Sequence, residues 1–312
     1  MKATAVMFLL FFAAFAWAGE TPDPVRGEQF EPAVSACGDM AITRSPALKR
    51  KARGQGAPSA RVVIRALRMF KSAQNKDGSW GEGGSRHLAT PLVLTALLGN
   101  GESRTSHEFG QAVTRAREWT LAAEPATDAE RASAIVALSF YVAMHANERR
   151  DNVKAEIAKI GALLSALKNP TGDPWSDLLA FHRLPDEIER PGWMKDTRDK
   201  LRKWSETDVD ANPTTLDGYI VLRVAGLAKF LAGGKPWVEF NRDVVPVVVS
   251  RQAEDGYYPS ALETDRFACT ALAVQSLQMY YVFSGRFWAL PEREPAPARV
   301  VIGYDIDIDV AP

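Results

Sequence analysis

The chain has 312 residues, with 38 basic and 38 acidic side chains, 46 % hydrophobic residues and two cysteines. Formal neutrality excludes a global field that would draw the whole protein to nucleic acid, and no nucleic-acid partner is expected. The length allows one large core, and two cysteines allow at most one internal bridge, so a disulfide-dense framework is excluded.

In chain order, Lys2 precedes an apolar run from Ala3 to Phe15 and the small-x-small triplet Ala16-Trp17-Ala18. This pattern predicts a secretory signal over residues 1–18, cleaved near Ala18, and export to the periplasm or the exterior. No later segment approaches the ~20 apolar residues a membrane-spanning helix needs, so no transmembrane span is expected in the mature chain. Residues 19–59 read as an irregular N-terminal arm rich in Pro, Gly and charge, including the basic stretch Leu48–Gly56, which reads as a solvated linker. Cys37 lies in this arm and Cys269 far downstream, and the sequence leaves open whether they are bridged.

From residue 60 to 286 the signals are helical. Gln74-x3-Gly78-x-Trp80 recurs as Gln252-x3-Gly256-x-Tyr258, and Lys168 to Trp175, with Gly172 followed by Trp175, is a degraded third copy. With the helix ends at Trp119 and Trp204 between them, the markers give about 45 residues per unit, the length of one helical hairpin. Helices before the markers are amphipathic: Val153, Ile157, Ile160, Leu164 and Leu167 share one face, with Lys154, Glu156 and Lys159 opposite. Helices after them, over 88–99, 132–144 and 269–283, are apolar nearly all round and must be covered on most sides. The expected fold is all-α, an α/α toroid of about five to six hairpins with outer amphipathic and inner apolar helices. An open solenoid of HEAT-like hairpins has an overlapping period and is the architectural alternative.

Each motif residue has a structural task. Gly78, Gly172 and Gly256 can take the left-handed conformation at the end of an outer helix. The aromatic two residues later can cover the inter-helix gap, and the glutamine can donate to orphan carbonyls at a neighbouring helix end.

These motifs resemble the QW motif of the terpene cyclase and protein prenyltransferase β-subunit superfamily. The chain looks most like exported bacterial proteins with a prenyltransferase and squalene oxidase repeat, through Gly233-Gly234, Trp237, Phe240-Asn241, Gln252, Asp255-Gly256 and Thr270–Tyr281. The resemblance implies an α/α toroid. Its zinc chemistry does not carry over, because Ala268 stands where the prenyltransferase histidine would be, and His87, His107, His145 and His182 lack close ligand spacing. Neither a metal nor a cofactor is expected. The cyclase Asp-x-Asp-Asp acid is matched in part by Asp208 and Asp210, with Ala211 in the third place. Asn212 as N-cap and Pro213 at N1 offer these acids a plain helix-start role.

Arg131, Asp217, Arg223, Asp265 and Arg266 lie near predicted inner-helix starts and could meet at one mouth of the ring. The tail, 287–312, alternates Asp305, Asp307 and Asp309 as on one face of a short strand. The expected function is a scaffold that binds a protein or an apolar small molecule without chemistry of its own. The alternative is an isoprenoid cyclase-like or carbohydrate-active enzyme with an acid near Asp210.

Overall fold

The computed structural model describes residues 58–145, 153–167, 172–195 and 197–279. The predicted signal, most of the arm with Cys37, Lys168, and the tail with its aspartates lie outside the described residues.

The described chain alternates between two kinds of helix. Outer helices are α1 (Pro58–Ala73), α3 (Gly110–Ala122), α5 (Lys154–Ala166) and α7 (Thr197–Glu206), completed by α9 (Gly234–Glu239), a π turn (Phe240–Val244) and α10 (Val245–Ser250). Inner helices are α2 (Arg86–Gly99), α4 (Asp128–Met144), α6 (Pro174–Phe181), α8 (Leu216–Ala232) and α11 (Arg266–Leu277). Among the described residues there is no β-strand, so the fold is all-α.

Local chemistry sets where the inner helices start. Thr127 and Glu130 form a capping box at α4: Glu130 N donates to Thr127 Oγ1 at 3.3 Å and Thr127 N to Glu130 Oε2 at 3.1 Å. Asp173 accepts from Trp175 N at 2.8 Å ahead of Pro174, the first residue of α6. At α8 the N-cap is Thr215, whose hydroxyl accepts from Gly218 N, and not Asn212 as the sequence indicated. The physical reason is local: Asp210 Oδ1 takes Asn212 N at 2.7 Å, and Thr214 O accepts from Ala261 N at 2.6 Å, which holds the chain out of the helix until Thr215.

The inner helices pack in cyclic order: α2 on α4, α4 on α6, α6 on α8, α8 on α11, and α11 back on α2. An open solenoid would leave its first and last units apart. Two glutamines of α11 make the closing contact, Gln275 Nε2 to Leu92 O at 2.9 Å and Gln278 Nε2 to Ala96 O at 2.8 Å. Both pairs advance along the chain together, so α11 and α2 run parallel. Residues 89–99 of α2, 132–142 of α4 and 268–277 of α11 are buried without a break, which requires cover on every side of each helix.

Outer helices keep one dry face. In α5, Val153 and Ile160 are buried and Lys154 is exposed, but Glu156, expected on the wet face, is fully buried and paired with Arg117 of α3. A carboxylate with an arginine across the helix gap exchanges water for a charge-assisted bond, which periodicity alone does not register.

Candidate functional site

The sequence motif turns out to be a hinge unit used twice. Gln74 Nε2 donates to Gly78 O at 2.9 Å and to Ala112 O of α3 at 3.0 Å. Gln252 Nε2 donates to Gly256 O at 3.0 Å and to Val62 O of α1 at 2.8 Å. Gly78 and Gly256 have φ of 93° and 92°. A Cβ on Gly78 would meet Arg115 O at 2.5 Å, and one on Gly256 would meet Met69 Cβ at 3.0 Å and Arg65 O at 3.3 Å. Each unit thus holds the next outer helix in the same register, and for the last unit the next helix is the first one, α1.

Two details correct the expectation. The carbonyls that the glutamines reach lie near the starts of α3 and α1, so they are not orphans at a helix end. The orphan-carbonyl task falls to Trp80, whose Nε1 donates to Phe70 O in the last turn of α1 at 2.7 Å. Trp80 N and Tyr258 N donate to Thr90 Oγ1 and Thr270 Oγ1, both at 3.0 Å, which fastens each hinge to the inner helix that follows. In the third copy Gly172 keeps its positive φ of 87°, but Trp175 lies in the first turn of α6 and not over a gap. Asp173-Pro174 starts the helix too soon after the glycine to leave a strap.

Asp77 and Asp255 precede the two glycines. Asp77 Oδ1 accepts from Ser79 N at 3.0 Å and its Oδ2 pairs with Arg86, the first residue of α2, at 3.2 Å. Ser79 and the Arg86 charge hold the Asp77 carboxyl below the usual carboxylate range. Asp255 accepts from Tyr257 N and pairs with Arg266, the first residue of α11, which also pairs with Glu263 and lies 3.4 Å over the Tyr257 ring. Leu262, next in sequence to Glu263, is 60 % exposed.

The expected mouth residues therefore separate. Arg131 pairs with Asp128 at 2.7 Å, Asp217 is exposed in the first turn of α8, and Asp265 precedes α11. Arg223 is not at the mouth at all; it is buried two turns into α8. Its Nε donates to Gln275 Oε1 at 3.4 Å, and burial lowers its pKa to about 9, so the guanidinium stays charged at neutral pH. His182, at the end of α6, is buried, with Nδ1 2.7 Å from Leu178 O and its ring 5.4 Å from Phe140. Burial first, and then the Arg223 charge, push its pKa down to about 3, so the imidazole is neutral. Arg190 closes the same helix end by donating to Ala180 O and His182 O. None of this was legible from motif spacing; the one trace was a pair of glutamines, three apart, in an otherwise apolar helix.

Asp208 and Asp210 are both exposed, in the loop between α7 and α8. An acid that protonates an alkene must be kept dry, and both of these carboxylates face solvent. The motif aromatics Trp80 and Tyr258 and the glycines Gly78 and Gly256 are buried. His145 is buried against Tyr141, and His87 lies against Trp119. Among the described residues no three His, Cys, Asp or Glu side chains converge as metal ligands do, and no helix is long and apolar enough to cross a membrane.

The size of the ring bears on what it can hold. Five helices spaced by about 10 Å place their axes about 8.5 Å from the centre. With side chains giving each helix a radius of about 5–6 Å, only about 3 Å of radius is left on the axis. The unbroken burial of α2, α4 and α11 agrees with side chains filling that space. Comparison with family models, with curated proteins and with solved structures finds no match in any of the three.

Proposed function

We propose that this chain is a binding scaffold, an α/α ring of the squalene cyclase and prenyltransferase-repeat type that engages a partner on its surface without chemistry at its centre. The observation that carries the reading is the combination of the unbroken burial of α2, α4 and α11 with Asp208 and Asp210 standing in solvent. The unbroken burial of these helices is what a centre filled by side chains produces, whereas an isoprenoid site is a roomy apolar pocket. Partner contact then falls to the ends and rim, where Arg266 stacks on Tyr257 and Leu262, four residues earlier in the chain, is exposed. Ion-paired arginine stacked on an aromatic, together with an exposed aliphatic residue, is the composition of a protein contact surface.

The test is turnover. Purified protein incubated with squalene and with isoprenyl diphosphates should yield no product above a heat-treated control, and Asp210→Asn should behave as the wild type. Product formation that disappears in Asp210→Asn would overturn the scaffold reading in favour of the cyclase-like enzyme.

A further inference from the structure

Formal neutrality of the chain conceals a separation of charge. Residues 41–76 carry ten basic and no acidic side chains, from Arg44 to Lys76. With 38 of each sign in all, the remainder holds 28 basic and 38 acidic residues. The described residues of this basic region, 58–76, include α1, and there the charges are ordered. Arg61, Arg65, Arg68 and Lys71 are exposed at i, i+4, i+7 and i+10, a single row about 15 Å long on the outer face of the helix. The opposite face, Val62, Val63, Ala66, Leu67 and Phe70, is buried against the ring. The only ion pair found for the row among the described residues is Arg68 with Glu108, at 2.9 Å and largely exposed, a contact that water and salt weaken.

We propose that this row is a docking surface for an anionic phospholipid bilayer, with the arginines meeting headgroup phosphates. At about 100° per residue the four positions fall within a sector of about 120° of the helix, and their long side chains let one flat anionic surface reach them together. No exposed aromatic residue interleaves them as a stacking platform for a nucleic-acid strand would require. Guanidinium groups match phosphate oxygens in paired hydrogen bonds, and basic residues near an anionic membrane surface add their attractions. Acidic residues are in excess over the rest of the sequence, so the net positive charge is concentrated in this region.

The experiment is co-sedimentation of the full chain with vesicles of phosphatidylcholine alone and with about one-third phosphatidylglycerol, at about 0.05 M and 0.5 M salt. Binding is expected only to the anionic vesicles and only at low salt. Arg61→Gln/Arg65→Gln/Lys71→Gln, three exposed positions that leave the Arg68 pair intact, should weaken it tenfold or more with an unchanged circular dichroism spectrum and melting temperature. Arg61→Lys/Arg65→Lys should keep most of the binding, because the attraction is to charge near a surface. Equal binding to both vesicle types would overturn the proposal. So would undiminished binding of the triple glutamine variant, which would assign the attraction to Arg44–Arg53, or preference for duplex DNA over the anionic vesicles.

Discussion

Trp80 shows how one side chain can hold three segments. Its ring is fully buried and edge-on to Phe70, its indole N–H satisfies the Phe70 carbonyl, and its backbone N–H binds Thr90 at the head of α2. Trp80→Phe would keep most of the apolar area but strand a buried carbonyl, at a cost of about 1–3 kcal/mol. Urea unfolding should show the midpoint falling with the slope unchanged. Tyr258, which takes the same place in the second hinge, has its hydroxyl buried and unpartnered, so Tyr258→Phe should be neutral or stabilising.

At the same scale His182 makes stability depend on pH. Unfolded, a histidine takes a proton near pH 6.5; folded, this one stays neutral down to about 3. Below 6.5 the unfolded chain binds the extra proton, so the contribution of the neutral imidazole is present above that pH and is lost as pH falls toward 3. The melting temperature should therefore drop between pH 7 and 4, and His182→Asn should flatten that drop.

Between elements, buried ion pairs add to the apolar contact that joins neighbouring helices. Asp177 in α6 accepts from Lys200 Nζ at 2.5 Å and from Trp204 Nε1 at 2.8 Å, both on α7, with only 2 % of its side chain exposed. Arg117 and Glu156 join α3 to α5 in the same way. Removing one member leaves a charge without its partner in a dry place, so Asp177→Ala should cost about 3 kcal/mol or more and loosen α7. Hydrogen exchange over residues 197–206 would report it. Asp177→Ala/Lys200→Met should recover much of the loss, since replacing both charges removes the need to solvate either.

At the scale of the whole molecule, the contact of α11 with α2 decides how the chain unfolds. In a linear array a terminal hairpin can be removed and the rest stays folded. Here deletion of residues 252–312 would strip α2 and α8 of a neighbour at once and take away the Gln252 tie to Val62. The shortened chain is expected to lose its cooperative thermal transition and aggregate, as size-exclusion chromatography and circular dichroism would record. A shortened chain that melts cooperatively would show that each hairpin is stable with its neighbours on one side only.

What the sequence determined by itself was the alternation. Apolar periodicity separated inner from outer helices, and the Gly78, Gly172 and Gly256 positions marked where the chain leaves the outer layer, because left-handed backbone is cheap only for glycine. Those signals act over a few residues, and so a linear pattern carries them. Where α8 starts was misread, since Asn212 and Pro213 obey the local rule while Thr214 answers to Ala261, nearly fifty residues on. Ring closure, the burial of Glu156, Asp177 and Arg223, and the exposure of Asp208 and Asp210 were decided only by the tertiary structure. Each depends on which distant helix supplies a partner or shuts out water, and hydrogen-bonding and desolvation energies are set by three-dimensional neighbours.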